Sequence, residues 1–210
     1  MICFAAKWTD DSNVLFYSEF HNGREAMVQA AYELLNEADA VITYNGDGFD
    51  IPHLNREFLE AGLTPPSPYA SIDLLKTVRK QFRSASNKLD WIVQKLGLGR
   101  KTPHTGYQLW VDCLKGDPKA WALMKRYNKQ DVVVTEKLYK RILPWITSHP
   151  NVGLRNGHTS ACGNCGSFKA VKDGRAYTAM GVFQKLQCKN CGKYRRGNAR
   201  LFGADSVGLK

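Results

Sequence analysis

Long apolar runs are missing. No stretch of about 18 apolar residues occurs anywhere in the chain, so no segment has the length of a membrane-spanning helix. The opening MICFAAKW lacks the charged lead, apolar stretch and cleavage site of a secretory signal. The expectation is therefore a reducing cytoplasm, where the six cysteines are poor material for a disulfide framework. Acids are scarce at one end. From Asn151 onward there are 11 Lys/Arg but two acids, Asp173 and Asp205. Positions 1–150 hold 19 basic and 17 acidic residues and carry +2, against +9 for the last 60. Such asymmetry points the tail toward a polyanion, with a merely soluble basic surface as the alternative.

What is present suffices for one core and an appendage. The 210 residues are 43% hydrophobic, enough for a core of about 150 residues. Ile2–Trp8 and Val14–Phe20 read as strands of a hairpin about the turn cluster 9–13. Asn22, three residues before Glu25, resembles a capping box for a helix with Met27, Ala31 and Leu35 on its buried face. Ala40–Tyr44 is the next strand. A helix of about ten residues follows Asp50 and stops at Gly62. TPPSPY, residues 64–69, is a loop, and 72–82 turns from apolar to basic. Asn87 is placed to cap a helix running to Leu96. Asp117-Pro118 starts a helix of about 25 residues that Pro144 ends, although Val132-Val133-Val134 leaves a short strand open. This order predicts a mixed α/β layer fold.

Two carboxylates stand out. Trp121, Met124, Asn128, Val132, Thr135, Leu138 and Ile142 form the inward stripe of the long helix, and Tyr127 and Asp131, four apart, lie on or beside it. An inward carboxylate needs compensation by a donor or a metal ion. A hydrogen bond to a core Tyr or a backbone amide would also serve. Asp50 lies where a strand hands over to a helix, a usual ligand position in α/β sheets. It could instead merely cap the helix that Ile51-Pro52 begins.

Tyr44-Asn45-Gly46-Asp47-Gly48-Phe49-Asp50, with Leu54 behind it, resembles the second motif of the DEDD, or DnaQ-like, 3′–5′ exonuclease superfamily. Tyr127-Asn128-Lys129-Gln130-Asp131 resembles its third motif in the Tyr-x-x-x-Asp form. Arg126 stands where the sister form has His, which favours the Tyr subclass. The motifs lie 81 residues apart, and SIDLLK around Asp73 and NKLDWIVQKLGL resemble the connecting elements. The resemblance implies an RNase H-like mixed sheet flanked by helices over 1–150. It also implies phosphodiester hydrolysis with two Mg²⁺ or Mn²⁺ ions, which take oxygen ligands and align attacking and leaving oxygens. Asp50 and Asp131 would hold metal, Tyr127 would orient the attacking water, and Asn45 would touch the nucleic acid or stabilise the turn. The substrate would be DNA or RNA, entered at a single-stranded 3′ end.

The family's first motif, Asp-x-Glu on its first strand, is absent; Glu37-Ala38-Asp39 is reversed. The hairpin at the start resembles the family's second and third strands, so the resemblance implies a core that is N-terminally incomplete, with its first central strand missing. Ile2–Trp8 and Ala40–Tyr44 would then flank a gap with unpaired backbone groups. An upstream start, or another polypeptide supplying that strand, would complete the core. The alternative is a non-catalytic nucleic-acid-binding protein derived from such an exonuclease. A structural subunit docking its basic end on an acidic protein is a third reading.

Cys162-Gly-Asn-Cys165 and Cys188-Lys-Asn-Cys191 are two C-x-x-C pairs separated by 22 residues, each followed by Gly. Four thiolates so spaced suit tetrahedral Zn²⁺, and the segment 156–200 resembles a zinc ribbon whose knuckles are joined by strands such as Tyr177–Phe183. A redox C-x-x-C would need one pair at a helix start. His158 is near enough to substitute as a ligand, and Cys3 and Cys113 fall outside the pattern as core thiols. Lys185, Lys189, Lys193, Arg195, Arg196 and Arg200 crowd the second knuckle, with Tyr177, Phe183 and Tyr194 available to stack on bases. Lys185, Lys189, Lys193, Arg195 and Arg196 are the candidate nucleic-acid contacts. Residues 201–210 read as a basic, flexible tail.

Overall fold

A hairpin opens the structure, a computed structural model that describes residues 1–103 and 105–202. Strands β1 (Cys3–Ala6) and β2 (Leu15–Ser18) pair antiparallel, Phe4 opposite Tyr17. The turn uses Asp10 at φ 66°, a left-handed conformation that Asp tolerates, and Asp11 Oδ1 accepts the Asn13 amide at 2.9 Å. The strands are shorter than expected because the chain turns into helix early. Ser18 caps a four-residue helix α1 (Glu19–Asn22). The expected cap at Asn22 is corrected accordingly. Asn22 is the last residue of α1 and its side chain accepts the Ser18 amide, while Gly23, at φ 80°, is the N-cap of α2 (Arg24–Glu37).

Strand β3 (Ala40–Thr43), helix α3 (Asp50–Glu60) and strand β4 (Ala70–Asp73) form a crossover unit with the strands parallel, Thr43 opposite Asp73. Helices α4 (Leu74–Gln81), α5 (Leu89–Lys95), α6 (Tyr107–Leu114) and α7 (Pro118–Ile142) follow. Lys88, not Asn87, is the cap position of α5. The Asn87 carbonyl instead accepts the Tyr44 hydroxyl at 2.6 Å. Helix α7 runs unbroken through Val132–Val134, so tertiary burial of Val134 and Leu138 on the helix overrides the β-propensity of the valines. Asp117 does cap it, accepting the Lys119 amide at 2.9 Å.

Both hairpin faces are covered. Phe4 and Tyr17 pack against Met27, Val28, Ala31, Leu35 and Phe58 of α2 and α3. On the other face Ile2, Cys3 and Phe16 pack against Leu109, Cys113, Ala120, Trp121 and Met124 of α6 and α7. Within the strands the sides alternate with period two, Cys3 and Phe16 to one cluster and Phe4 and Tyr17 to the other. Val41 of β3 joins the same α2–α3 cluster as Phe4. Yet β1–β2 and β3–β4 are separate two-stranded sheets, and no ladder joins β1 to β3 among the described residues. The expected mixed α/β fold is present, with β1 and β3 in separate sheets.

The chain divides into Met1–Tyr139 and Lys140–Lys210, the boundary falling inside α7. The second unit holds a 3₁₀ turn at Leu143–Trp145, where Pro144 stops α7, and a short helix α8 (Val152–Arg155). Strands β5 (Ala170–Thr178), β6 (Gly181–Cys188) and β7 (Tyr194–Phe202) form an antiparallel sheet in that order. The strand expected at Tyr177–Phe183 is thereby corrected: the β5–β6 turn falls within it, with Thr178 paired to Gly181. Of the expected tail, 201 and 202 close β7, and the rest lies outside the described residues.

Candidate carboxylate and metal centres

The break after β3 is built by steric necessity. Asn45 adopts φ 69°, ψ 20°, a left-handed conformation that Asn reaches more readily than most residues. A Cβ on Gly46 would overlap the Thr43 side chain, so the position needs glycine. Buried Asp73 locks the turn from the neighbouring strand: its Oδ1 accepts the Asn45 amide at 2.8 Å and caps α4 through the Leu75 amide at 3.0 Å. Asp47 leans the other way. It pairs with Lys76 at 2.6 Å and accepts the Ser71 hydroxyl, and these bonds hold its carboxyl below the usual range. The turn thus delivers Phe49-Asp50 to the start of α3. Phe49 is the N-cap residue and Asp50 the first helical residue, so a capping role is not what places Asp50 there. Asp50 itself is exposed to solvent, yet the protein packed around it raises its carboxyl by desolvation; His53 and Lys101 oppose this, while Asp73 adds to it.

Asp131 and Tyr127 stand one turn apart on α7 and are both partly buried. Lys101, from the loop after α5, reaches them. Its Nζ lies 2.6 Å from Asp131 Oδ2 and 3.5 Å from the Tyr127 hydroxyl, and sits over the Tyr127 ring at 5.3 Å from the centroid. Burial alone would lower the Lys101 ammonium, but the Asp131 bond and charge raise it above its ordinary value. The Tyr127 hydroxyl is raised by burial and then by Asp131. Lys101 thus meets Asp131 and Tyr127 directly, while at Asp50 its charge is the smallest of the influences. Lys101 belongs to no motif and no periodic pattern, and sequence reading passed over it. The remaining third-motif residues are structural: Asn128 Nδ2 donates to the Met124 carbonyl at 2.9 Å, and Gln130 Nε2 to the Arg100 carbonyl at 3.1 Å.

Two carboxylates suit one hydrated divalent ion, because Mg²⁺ is commonly held by one or two carboxylates and keeps several waters. Among the described residues, the one group of three or more metal-capable side chains is the cysteine set. A second ion at Asp50 and Asp131 would need donors from elsewhere.

The cysteines meet. Cys162, Cys165, Cys188 and Cys191 place their sulfurs within 4.8 Å of one another. The Cys162–Cys191 and Cys165–Cys188 separations are 3.7 and 3.6 Å. Zinc–sulfur bonds of about 2.3 Å make a tetrahedron with edges of about 3.8 Å, so the donor set fits a structural metal such as zinc. Gly166 and Gly192, at φ 69° and 79°, turn the chain after each pair. Burial would raise the Cys188 thiol, but amides of Cys191 and Asn190 and the neighbouring cysteines bring it down to about 7. His158 is outside this set and packs edge-on against Phe168. Cys113 is a buried core thiol and Cys3 a half-buried one, the latter pushed up to about 12 first by desolvation.

The basic residues of the ribbon divide into two groups. Lys193 Nζ donates to the Ile146 carbonyl at 3.0 Å, and the Arg195 guanidinium to the Ser160 and Ala161 carbonyls at 2.6 and 3.1 Å. Lys185 and Arg196 instead lie over Tyr194 and Phe183, at 5.4 and 4.1 Å, and Lys189 is exposed.

A family model for the RNase H superfamily matches residues 1–143. The chain belongs to the RNase H superfamily. The match spans the β1–β2 hairpin, the β3–α3–β4 unit and α7 with Asp131, so the carboxylate site falls wholly inside the RNase H-like part. Members of this superfamily often hydrolyse nucleic acids, which ties the chain to nucleic-acid chemistry. A search of curated proteins gave no match.

Proposed function

We propose that this chain is the core of a metal-dependent 3′–5′ exonuclease of the DEDD type, Tyr subclass, acting on a single-stranded 3′ end of DNA or RNA. The observation that carries the reading is that Asp131 and Tyr127, one helical turn apart, meet at the Lys101 ammonium, while the turn after β3 delivers Asp50, 81 residues earlier, to the start of α3. In this reading Asp50 and Asp131 would hold Mg²⁺ or Mn²⁺, which would supply a nucleophilic water and stabilise charge on the leaving oxygen. Tyr127 orients that water, and Asn45 holds the turn that presents Asp50. The ribbon grips the strand through Lys185, Lys189 and Arg196. Lys193 and Arg195, already bonded to main-chain carbonyls, stiffen the knuckles that present them. A reducing cytoplasm keeps the four thiols available for zinc.

The second ion and the absent acidic pair have one solution. Strands β1 and β3 pack on the same helical cluster but belong to separate sheets. A strand carrying Asp-x-Glu, from a segment or polypeptide outside these residues, would pair with both and bring two more carboxylates to Asp50 and Asp131. The separate sheets also favour the second reading, a nucleic-acid-binding protein without catalysis.

The test is a 5′-labelled single strand incubated with Mg²⁺ or Mn²⁺ and either the protein or Asp131→Asn. Stepwise shortening from the 3′ end by the wild type alone supports the enzyme. Tight binding with no shortening supports the binding protein, and equal rates for both proteins remove the enzyme reading.

A further inference from the structure

We infer that Lys101 is the resident cation of the carboxylate site, a positioning residue that a divalent ion must displace from Asp131. The inference rests on the reading that Asp50 and Asp131 hold such an ion. Its ground is the way the lysine is placed. Gly97 and Gly99, at φ 67° and 127°, bend the chain out of α5. The loop is then clamped on both sides: the Lys101 amide donates to Asp90 Oδ1 of α5 at 2.9 Å, and Gln130 of α7 holds the Arg100 carbonyl at 3.1 Å. From that fixed base the side chain crosses the Tyr127 ring and ends 2.6 Å from Asp131 Oδ2. Lys101 and Asp131 are 27% and 24% exposed, whereas the lysine of the Asp47–Lys76 pair is 70% exposed. The first pair is therefore an anchored fixture of the site and the second a solvated surface contact.

The chemistry of this placement is competition. An ammonium at hydrogen-bond distance uses the carboxylate oxygen that a metal ion would need, and it cancels one of the two negative charges that would attract the ion. A divalent ion that takes Asp131 through Oδ2 must therefore break the Lys101–Asp131 bond on entry. The freed ammonium stays tethered by its loop beside the site, where an anionic phosphate is its natural next partner. Asp131 is thereby kept neutralised until metal arrives.

The test uses the zinc-loaded full chain, titrated with Mn²⁺ while free ion is counted by electron paramagnetic resonance. Four proteins are compared: wild type, Lys101→Met, Arg100→Met and Asp131→Asn. Arg100 is an exposed neighbour on the same loop, so its substitution removes the same charge without touching Asp131. The expectation is that Lys101→Met binds Mn²⁺ about tenfold more tightly than wild type, and Arg100→Met within about twofold, as for a screened surface charge. Equal affinities for Lys101→Met and Arg100→Met overturn the inference, while loss of binding in Asp131→Asn still upholds the metal site. If Asp131→Asn binds as wild type does, the metal-site reading falls and this inference falls with it. Acylation of Lys101 by an amine-reactive ester, read by mass spectrometry, should rise as Mn²⁺ saturates the protein. Labelling that stays constant overturns displacement.

Discussion

Lys7 and Glu136 are 129 residues apart and meet at 2.5 Å, with side chains only 11% and 15% exposed. The second oxygen of Glu136 accepts the Asp10 amide at 3.1 Å. This pair fastens the end of the hairpin strand to α7, five residues beyond Asp131, and so holds the helix that carries half of the carboxylate site. Removing one partner of a buried pair strands the other charge and typically costs about 3–5 kcal/mol. The remaining solvent access trims this, and Gln can still accept the Asp10 amide, so Glu136→Gln should cost about 2–3 kcal/mol at pH 7. Lys7→Met should cost a similar amount. The double variant Lys7→Met/Glu136→Gln strands no charge and should be more stable than the sum of the single losses predicts by about 2 kcal/mol. Urea unfolding followed by tryptophan fluorescence reads this, with Trp8 beside Lys7 as a local reporter. Single losses below about 0.5 kcal/mol, or strict additivity in the double variant, would show a pair no stronger than a surface one and refute the tether.

Three further outcomes are expected. Structural zinc is worth roughly 10–16 kcal/mol apparent, so strong chelation, or Cys188→Ser, should leave residues 160–195 open to protease; a ribbon still resistant without metal contradicts this. Asp90 is held below the usual carboxylate range chiefly by the Lys101 amide, with burial opposing and Gln94 assisting. Its stabilisation is therefore full above the unfolded value of about 3.9 and fades as pH falls through the lower folded one. Asp90→Asn should cost about 1 kcal/mol at pH 7, with the gap closing as pH falls below the ordinary carboxylate range; a gap unchanged on acidification would count against it. Finally, if the ribbon contacts about five phosphates, log K for a single strand should fall with log salt at a slope near −3.5, and a flat dependence removes the ribbon from binding.

Periodicity and turn chemistry made much of the fold legible. Asp117-Pro118 marked the start of α7 and Pro144 its stop, because a rigid φ and a missing amide act locally. The Asn45-Gly46-Asp47-Gly48 run marked the handover to Asp50, since its backbone excludes other residues at Gly46. The paired cysteines were legible because four thiolates at that spacing have few alternatives. Caps failed where two candidates were adjacent. Asn22 and Asn87 have capping chemistry, but Gly23 and Lys88 occupy the cap positions and the asparagines serve other partners. Helix α6 went unread between stronger signals. Lys101 left no trace because its role comes from tertiary placement: two clamps from separate helices aim an ordinary loop lysine at Asp131. In the ribbon, composition showed the basic charge but not which heads are spent on main-chain carbonyls, as at Lys193 and Arg195.

The central claim is that Asp50 and Asp131 hold one divalent ion between them. The most direct measurement is anomalous diffraction from crystals of the zinc-loaded protein soaked in Mn²⁺. The account predicts a manganese peak at about 2.1 Å from a carboxylate oxygen of each residue, with the Lys101 ammonium moved off Asp131. A peak touching neither carboxylate, or none outside the cysteine cluster, would contradict it.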